Sequence, residues 1–194
     1  MDEIRILGIV GSQRRESSNR RALLTAQELL PAGVVLDLLE LHGIPYFEAG
    51  REALPPPAVI AFRRRVEAAD AILFATPECN HAVPGGLRSA IAWVARPASE
   101  SAWLGKPAAI ISANGGNLVR SRAQARLKLL LGELAMLAVD HPGAVSGNDE
   151  RAFGGAWPLT QGPARQFLRE LLAALVGQVR SNWVASGFLF KERA

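Results

Sequence analysis

The 194-residue sequence predicts an α/β fold, a doubly wound sheet of five parallel strands with helices on both faces. Three observations predict it. Short apolar runs alternate with segments of helical periodicity along the chain, the signature of strand–helix–strand units. The apolar runs are near-continuous, as in parallel strands that are covered on both sides. Neither an internal repeat nor a low-complexity segment breaks the pattern, so 1–194 is expected to be a single domain, with 182–194 as a C-terminal tail.

The elements follow in order. Ile4 to Val10 is the first strand and ends at Gly11, which is expected to let the chain turn tightly. A polar loop, Ser12 to Asn19, comes next. Ala22, Leu23, Ala26, Leu29 and Leu30 then recur at helical spacing, and Pro31 and Gly33 stop that helix. Val34 to Leu41 is the second strand. His42 to Pro57 is irregular, and Pro55-Pro56-Pro57 opens a helix to about Ala69. Ala71 to Ala75 is the third strand. The loop Thr76 to Val83 precedes a helix with Pro84 in its first turn, where a missing N–H costs nothing. Leu87, Ala90, Ile91 and Val94 line one face of it. Lys106-Pro107 leads into the fourth strand, Ala108 to Ser112. A Gly115-Gly116 loop, a helix from about Arg120 to Leu134 and a fifth strand, Met136 to Val139, come next. Phe167 to Val179 is the last helix. Trp183 to Phe190 is apolar and is expected to pack on the domain or on another subunit. In such sheets ligands bind beyond the carboxyl ends of the strands, where strand order reverses. The two most motif-like loops follow the first and third strands.

Composition narrows the function classes. Hydrophobic residues make up 49% and charged residues 21%, the balance of a folded chain and not a disordered one. The net charge of +4 suits anionic ligands such as nucleotides, or is a bias of the solvated surface. No basic stripe interleaves with aromatics, so no nucleic-acid partner is expected, and Arg63-Arg64-Arg65 reads as one side of an exposed helix. The single cysteine, Cys79, leaves no disulfide framework and argues against a metal site. The first residues do not read as a signal peptide. No stretch reaches the roughly 18 apolar residues needed to span a bilayer. A cytoplasmic enzyme or binding protein without a membrane partner is expected.

The first loop has the chemistry of a phosphate cradle. Backbone N–H groups at a helix start carry the positive end of the helix dipole. Ser12, Ser17 and Ser18 add short hydroxyl donors, and Arg14 adds a charge-assisted contact. Ser17, Ser18 and Asn19 also serve as helix N-caps, and on this loop alone both readings stand. A Gly-x-Gly-x-x-Gly fingerprint and a Gly-Lys-Ser/Thr loop are both missing from the sequence.

The second loop is more specific. Thr76-Pro77-Glu78-Cys79-Asn80-His81-Ala82-Val83-Pro84-Gly85-Gly86-Leu87-Arg88-Ser89-Ala90-Ile91-Ala92-Trp93 resembles the Thr-Pro-Glu-Tyr-Asn-x-x-x-Pro-Gly-x-Leu-Lys-Asn-Ala-Ile-Asp-Trp signature of the NADPH-dependent FMN reductase family. That family has a flavodoxin-like fold and includes flavin, quinone, azo-dye and chromate reductases. The first loop is similar to the family's Gly-Ser-x-Arg-x-x-Ser-x-Asn, and Arg122-Ala123-Gln124 gives a looser match. The resemblance covers about residues 4 to 140.

The resemblance implies non-covalent FMN, with NADPH or NADH as electron donor and a small-molecule acceptor. Ser12, Arg14, Ser17 and Asn19, with Ser18 beside them, would hold the flavin phosphate. Pro77, Glu78, Cys79 and Asn80 would border the isoalloxazine ring, and Gly115 and Gly116 its other side. A homodimer or homotetramer with the flavin near a subunit interface is implied too. The flavin carries the chemistry, so no catalytic side chain is named. The expected activity is ping-pong hydride transfer to a flavin, quinone, azo compound or metal oxyanion. The alternatives are a redox sensor or electron carrier without turnover, and a scaffold that has lost FMN. Flavodoxin-type carriers are usually acidic, and this chain is basic.

Three departures stand out. The family's Tyr is Cys79, either a small filler or a redox-active thiol. Val119-Arg120-Ser121 stands where relatives carry a second Gly pair, and Arg120 or Arg122 meets a nucleotide phosphate or solvent. Arg88-Ser89-Ala90-Ile91-Ala92-Trp93 lacks the family's carboxylate. His81 is a proton shuttle or a polar loop residue. His42 and His141 have no partner visible in the sequence, and Trp93 and Trp103 read as packing residues.

Overall fold

A computed structural model describes residues 3–12, 14, 17–77, 82–114, 117–118, 122–139 and 163–185. Strand β1 (Ile4–Val10) is a run of apolar side chains, all but Arg5 buried or glycine. Helix α1 (Ser18–Glu28) starts four residues before the first periodic apolar position, Ala22. The hydroxyl of Ser17 caps it by accepting the Arg20 N–H at 3.4 Å. Gly33 ends the connection with φ +78°, a conformation that suits glycine. Strand β2 (Val34–Glu40) follows. Helix α2 (Pro57–Ala68) has a proline at its first position, strand β3 (Ala71–Ala75) is buried throughout, and helix α3 (Gly85–Val94) has Pro84 as its N-cap residue, one place before the expected position. Strand β4 (Pro107–Ile111) leads to two-residue strands β5 (Ala113–Asn114) and β6 (Asn117–Leu118), an antiparallel hairpin where the sequence suggested a plain loop. Helix α4 (Arg122–Glu133), strand β7 (Leu137–Ala138) and helix α5 (Pro163–Ala185) complete the chain.

The main sheet has five strands in the order β2-β1-β3-β4-β7, and every pairing is parallel. The chain moves outward from β1 to β2, then crosses back to β3 on the other side of β1. Strand order therefore reverses between β1 and β3, the switch point of a flavodoxin-like fold. One half of the core lies between the sheet and helices α1 and α5, with Leu23, Leu168 and Leu175 fully buried. The other half lies under α2, α3 and α4, with Phe62, Ile91 and Leu127 fully buried. Helices thus cover both faces, as the near-continuous apolar strands require.

Helix α5 is the largest difference from expectation. It begins four residues earlier and ends six later than Phe167–Val179. The added turns carry Ala164 inward at one end and Trp183 onto the α1 side of the core at the other. Residues 182–185 therefore belong to the helix and not to a tail, and Trp183 packs on its own domain. Positions 186–194 lie outside the described residues. Among the described residues, no helix is long and apolar enough to cross a membrane.

Candidate functional site

Register aligns the strand ends that build the site. Glu40, Val10, Ala75 and Ile111 lie in one row across β2, β1, β3 and β4. The loops that leave this row start level with one another, and their roots are joined by hydrogen bonds. Gly11 N–H donates to the Ala75 carbonyl at 2.8 Å, and Thr76 N–H donates to the Ile111 carbonyl at 3.0 Å. The Ser112 hydroxyl donates to the Thr76 carbonyl at 2.6 Å. Thr76 and Ser112 are buried, which makes these bonds shielded and firm. The site list read from sequence held neither of them. A polar residue closing an apolar strand at its carboxyl end was the available signal.

Gly11 is needed here for space. Its φ is not positive, so the tight-turn expectation is corrected. A Cβ at this position would stand 3.1 Å from Thr76 Oγ1, 3.2 Å from the Ala75 carbonyl oxygen and 3.2 Å from Leu87 Cδ2. A side chain here would press on neighbours where β1 and β3 release their loops, and those neighbours would have to give by a few tenths of an ångström.

The phosphate-cradle candidates lie together at the start of α1. Ser12 is buried, and its Oγ accepts the Arg14 N–H at 3.3 Å, which folds the loop back on itself. Ser17 is buried as the helix cap, and Ser18 is half-buried at the first helical position. Arg14 is exposed, and among the described residues no partner engages its guanidinium. Arg20, one turn into the helix, is committed elsewhere: its Nε donates to Glu40 Oε1 at 2.6 Å. Asn19 is 2% exposed and sits beneath the loop. Its Nδ2 donates to the Ala113 carbonyl at 3.0 Å, and its Oδ1 accepts the Ala113 N–H at 2.9 Å.

The ring-side candidates divide. Pro77 is half-buried directly after Thr76. Glu78, Cys79 and Asn80, together with His81, lie outside the described residues, as do Gly115, Gly116, Val119, Arg120, Ser121 and His141. Arg122 is exposed and begins α4. Strands β5 and β6 pair on either side of Gly115 and Gly116 in the chain, Ala113 with Leu118 and Asn114 with Asn117.

The long connection 41–56 is anchored to α3, which sequence reading did not foresee. Phe47 N–H donates to Ser89 Oγ at 2.6 Å, Trp93 Nε1 donates to the Pro45 carbonyl at 2.9 Å, and the Phe47 and Trp93 rings meet edge to face at 5.1 Å. Ser89 and Trp93, both in the motif helix, thus hold a loop in place.

His42, without an apparent partner in the sequence, has one in space: Nδ1 is 3.4 Å from Glu40 Oε2. The Arg20 hydrogen bond holds the Glu40 carboxyl below its ordinary pKa of 4.5. Partial desolvation opposes it, and the charges of Arg20 and His42 add to it. A depressed folded-state value means that the stability is present above pH 4.5 and is lost as pH falls through the folded pKa. Both side chains are 43% exposed, so solvent screening limits the pair to about 1 kcal/mol or less. Glu40→Gln is therefore expected to lower stability slightly at neutral pH and to match the wild type in acid, read by urea melts at both. An equal deficit at every pH would remove the pair from the account.

The profile of the NADPH-dependent FMN reductase family matches residues 4–151. The chain belongs to this family. As an FMN reductase family member it is an oxidoreductase with FMN and NAD(P)H as cofactors. It is 40% identical over 180 residues to an NAD(P)H-dependent FMN reductase of Pseudomonas aeruginosa, covering 92% of this chain and 97% of that one. It is 34% identical over 175 residues to a quinone reductase of Pseudomonas putida, covering 90% and 94%. Among solved structures, FerB from Paracoccus denitrificans, a flavoenzyme NAD(P)H:(acceptor) oxidoreductase, superposes with a TM-score of 0.79. The identity is 30%, covering 92% of this chain and 98% of that one.

Proposed function

We propose that this FMN reductase family member holds FMN non-covalently at the β1/β3 switch point. There it transfers two electrons from NADPH or NADH to a small acceptor by ping-pong kinetics. The acceptor class is a quinone, free flavin, azo compound or metal oxyanion. The observation that carries the reading is the start of α1, where Arg14 stands exposed, with no partner for its guanidinium among the described residues, beside a serine-capped helix N-terminus. A phosphate monoester needs such a combination of backbone N–H groups, hydroxyls and one cation.

In this proposal Arg14 neutralises the phosphate, while Ser12, Ser17 and Ser18 line its seat. Gly11 keeps the backbone of β1 close to β3, so that the seat lies next to the second loop. Pro77, Glu78, Cys79 and Asn80 border the ring on one side, and Gly115 and Gly116 on the other. When bound, FMN supplies the hydride chemistry, and the protein supplies orientation. The same reading takes the enzyme as a cytoplasmic homodimer or homotetramer, with size to be read by sedimentation.

Arg14→Ala is expected to weaken FMN binding by about 1.5–3 kcal/mol, roughly ten- to a hundredfold in Kd, by fluorescence titration. An unchanged Kd would refute the cradle assignment. Anaerobic NADPH or NADH should bleach the visible absorbance of the FMN-loaded wild type. A flavin that binds but stays yellow would speak for a sensor or carrier.

A further inference from the structure

Asn19 stands among the family-like phosphate residues in sequence, yet its side chain is already committed elsewhere. It is buried, and its carboxamide is used on both atoms by one distant residue, Ala113, 94 positions along the chain. An extended residue presents its own N–H and C=O to the same side, as it does to the opposing residue of an antiparallel pair. A carboxamide offers one acceptor and one donor in a plane, so it can imitate that strand partner. The bonds at 2.9 and 3.0 Å have this form.

The location gives the contact its meaning. Strand β3 lies between β1 and β4, so the first loop and the β5–β6 hairpin start roughly 10 Å apart, at about 4.8 Å per strand spacing. The root bonds given above join neighbouring strands: Gly11 to Ala75, Thr76 to Ile111 and Ser112 to Thr76. The Asn19–Ala113 pair spans the full width, from the first turn of α1 to the first residue of the hairpin. Resting on the FMN reading above, we infer that Asn19 is a positioning residue that latches the phosphate loop to the ring-side hairpin, and is not itself a phosphate ligand.

A comparison of FMN with riboflavin, which has the ring but no phosphate, tests this. Asn19→Ala and the isosteric Asn19→Asp, whose ionised carboxylate lacks the donor for the Ala113 carbonyl, are expected to weaken both flavins by the same factor, on the order of tenfold. The FMN-to-riboflavin affinity ratio stays at its wild-type value, and the visible absorption bands of the bound ring shift. Arg14→Ala is the contrasting control, since it lowers that ratio. Two results overturn the latch: a loss confined to FMN, which makes Asn19 a phosphate contact, or no change in either flavin. Hydrogen exchange on the flavin-free wild type keeps the test independent of variant folding. The Ala113 amide is expected to be protected, and a freely exchanging amide overturns the inference. A wild-type protein that binds neither flavin defeats the FMN reading itself, before any variant is compared.

Discussion

A Gly11→Val protein is expected to lose about 1–3 kcal/mol of folding stability and most of its FMN affinity. The first Cβ already falls 3.1–3.2 Å from three atoms, and one of these is the Ala75 carbonyl oxygen, part of the central strand β3. Thr76 Oγ1, the second, belongs to a fully buried residue whose hydroxyl bonds to the Pro77 carbonyl. Valine adds two methyl groups in the same space, and inserting carbons into a packed site typically costs this much. The contact with the Ala75 carbonyl oxygen is to backbone, so relieving it means moving β1 and β3 apart, while the Thr76 and Leu87 side chains can yield. Moving the strands apart lengthens the 2.8 Å bond from Gly11 N–H to Ala75 and moves the phosphate loop away from the second loop. Thermal melts and FMN titration read the two consequences separately. A variant with wild-type melting and wild-type FMN affinity would sink the close-approach account of Gly11.

Trp103→Ala carries the largest stability effect. The ring is fully buried, 6.1 Å from Phe62 and 6.0 Å from Phe74, centre to centre. Its Nε1 donates to the Ile91 carbonyl at 3.0 Å. One side chain thus joins α2, β3 and α3. Truncating a buried tryptophan leaves a cavity that rigid neighbours do not fill, at a cost of about 3–5 kcal/mol. For a chain of this length that lowers Tm by roughly 10 °C. Trp103→Phe should cost less, because part of the aromatic contact persists and what is lost is the indole hydrogen bond and the volume of one ring. Denaturant melts of both variants measure this, and a loss below about 1 kcal/mol for the alanine variant would contradict the packing role. FMN affinity should fall less than in the Gly11 variant, since Phe74 stands one residue before the row of strand ends.

The two loops were visible in the sequence for different reasons. Strands β1 and β3 are uniform apolar runs, so Ile4–Val10 and Ala71–Ala75 were read with their true limits. Gly11-Ser12 and Thr76-Pro77 follow them directly, which fixed the phosphate and ring-side candidates to the ends of two specific strands. Helix α5 was underestimated because its outer turns carry polar residues such as Gln166, Ser181 and Asn182 among few apolar ones. What makes those turns helical is burial of Ala164 and Trp183 against α1's side of the core, a contact that periodicity does not reveal.

The sequence by itself determined the order of the five sheet strands and five helices, the switch-point location of the two motif loops, and the family to which the chain belongs. Each of these depends on neighbours a few positions apart, on alternation, helical spacing or contiguous motif residues, so it is written locally. Only the tertiary structure decided why position 11 favours glycine, that Arg20 and His42 both pair with Glu40 while Arg14 has no partner among the described residues, that Ser89 and Trp93 hold the 41–56 connection, and that Asn19 turns inward to Ala113. Those roles arise where strand order brings distant segments level with one another. A side chain's hydrogen-bond partner in a buried site is set by which backbone groups that packing leaves without a ladder mate, and no local pattern carries that information.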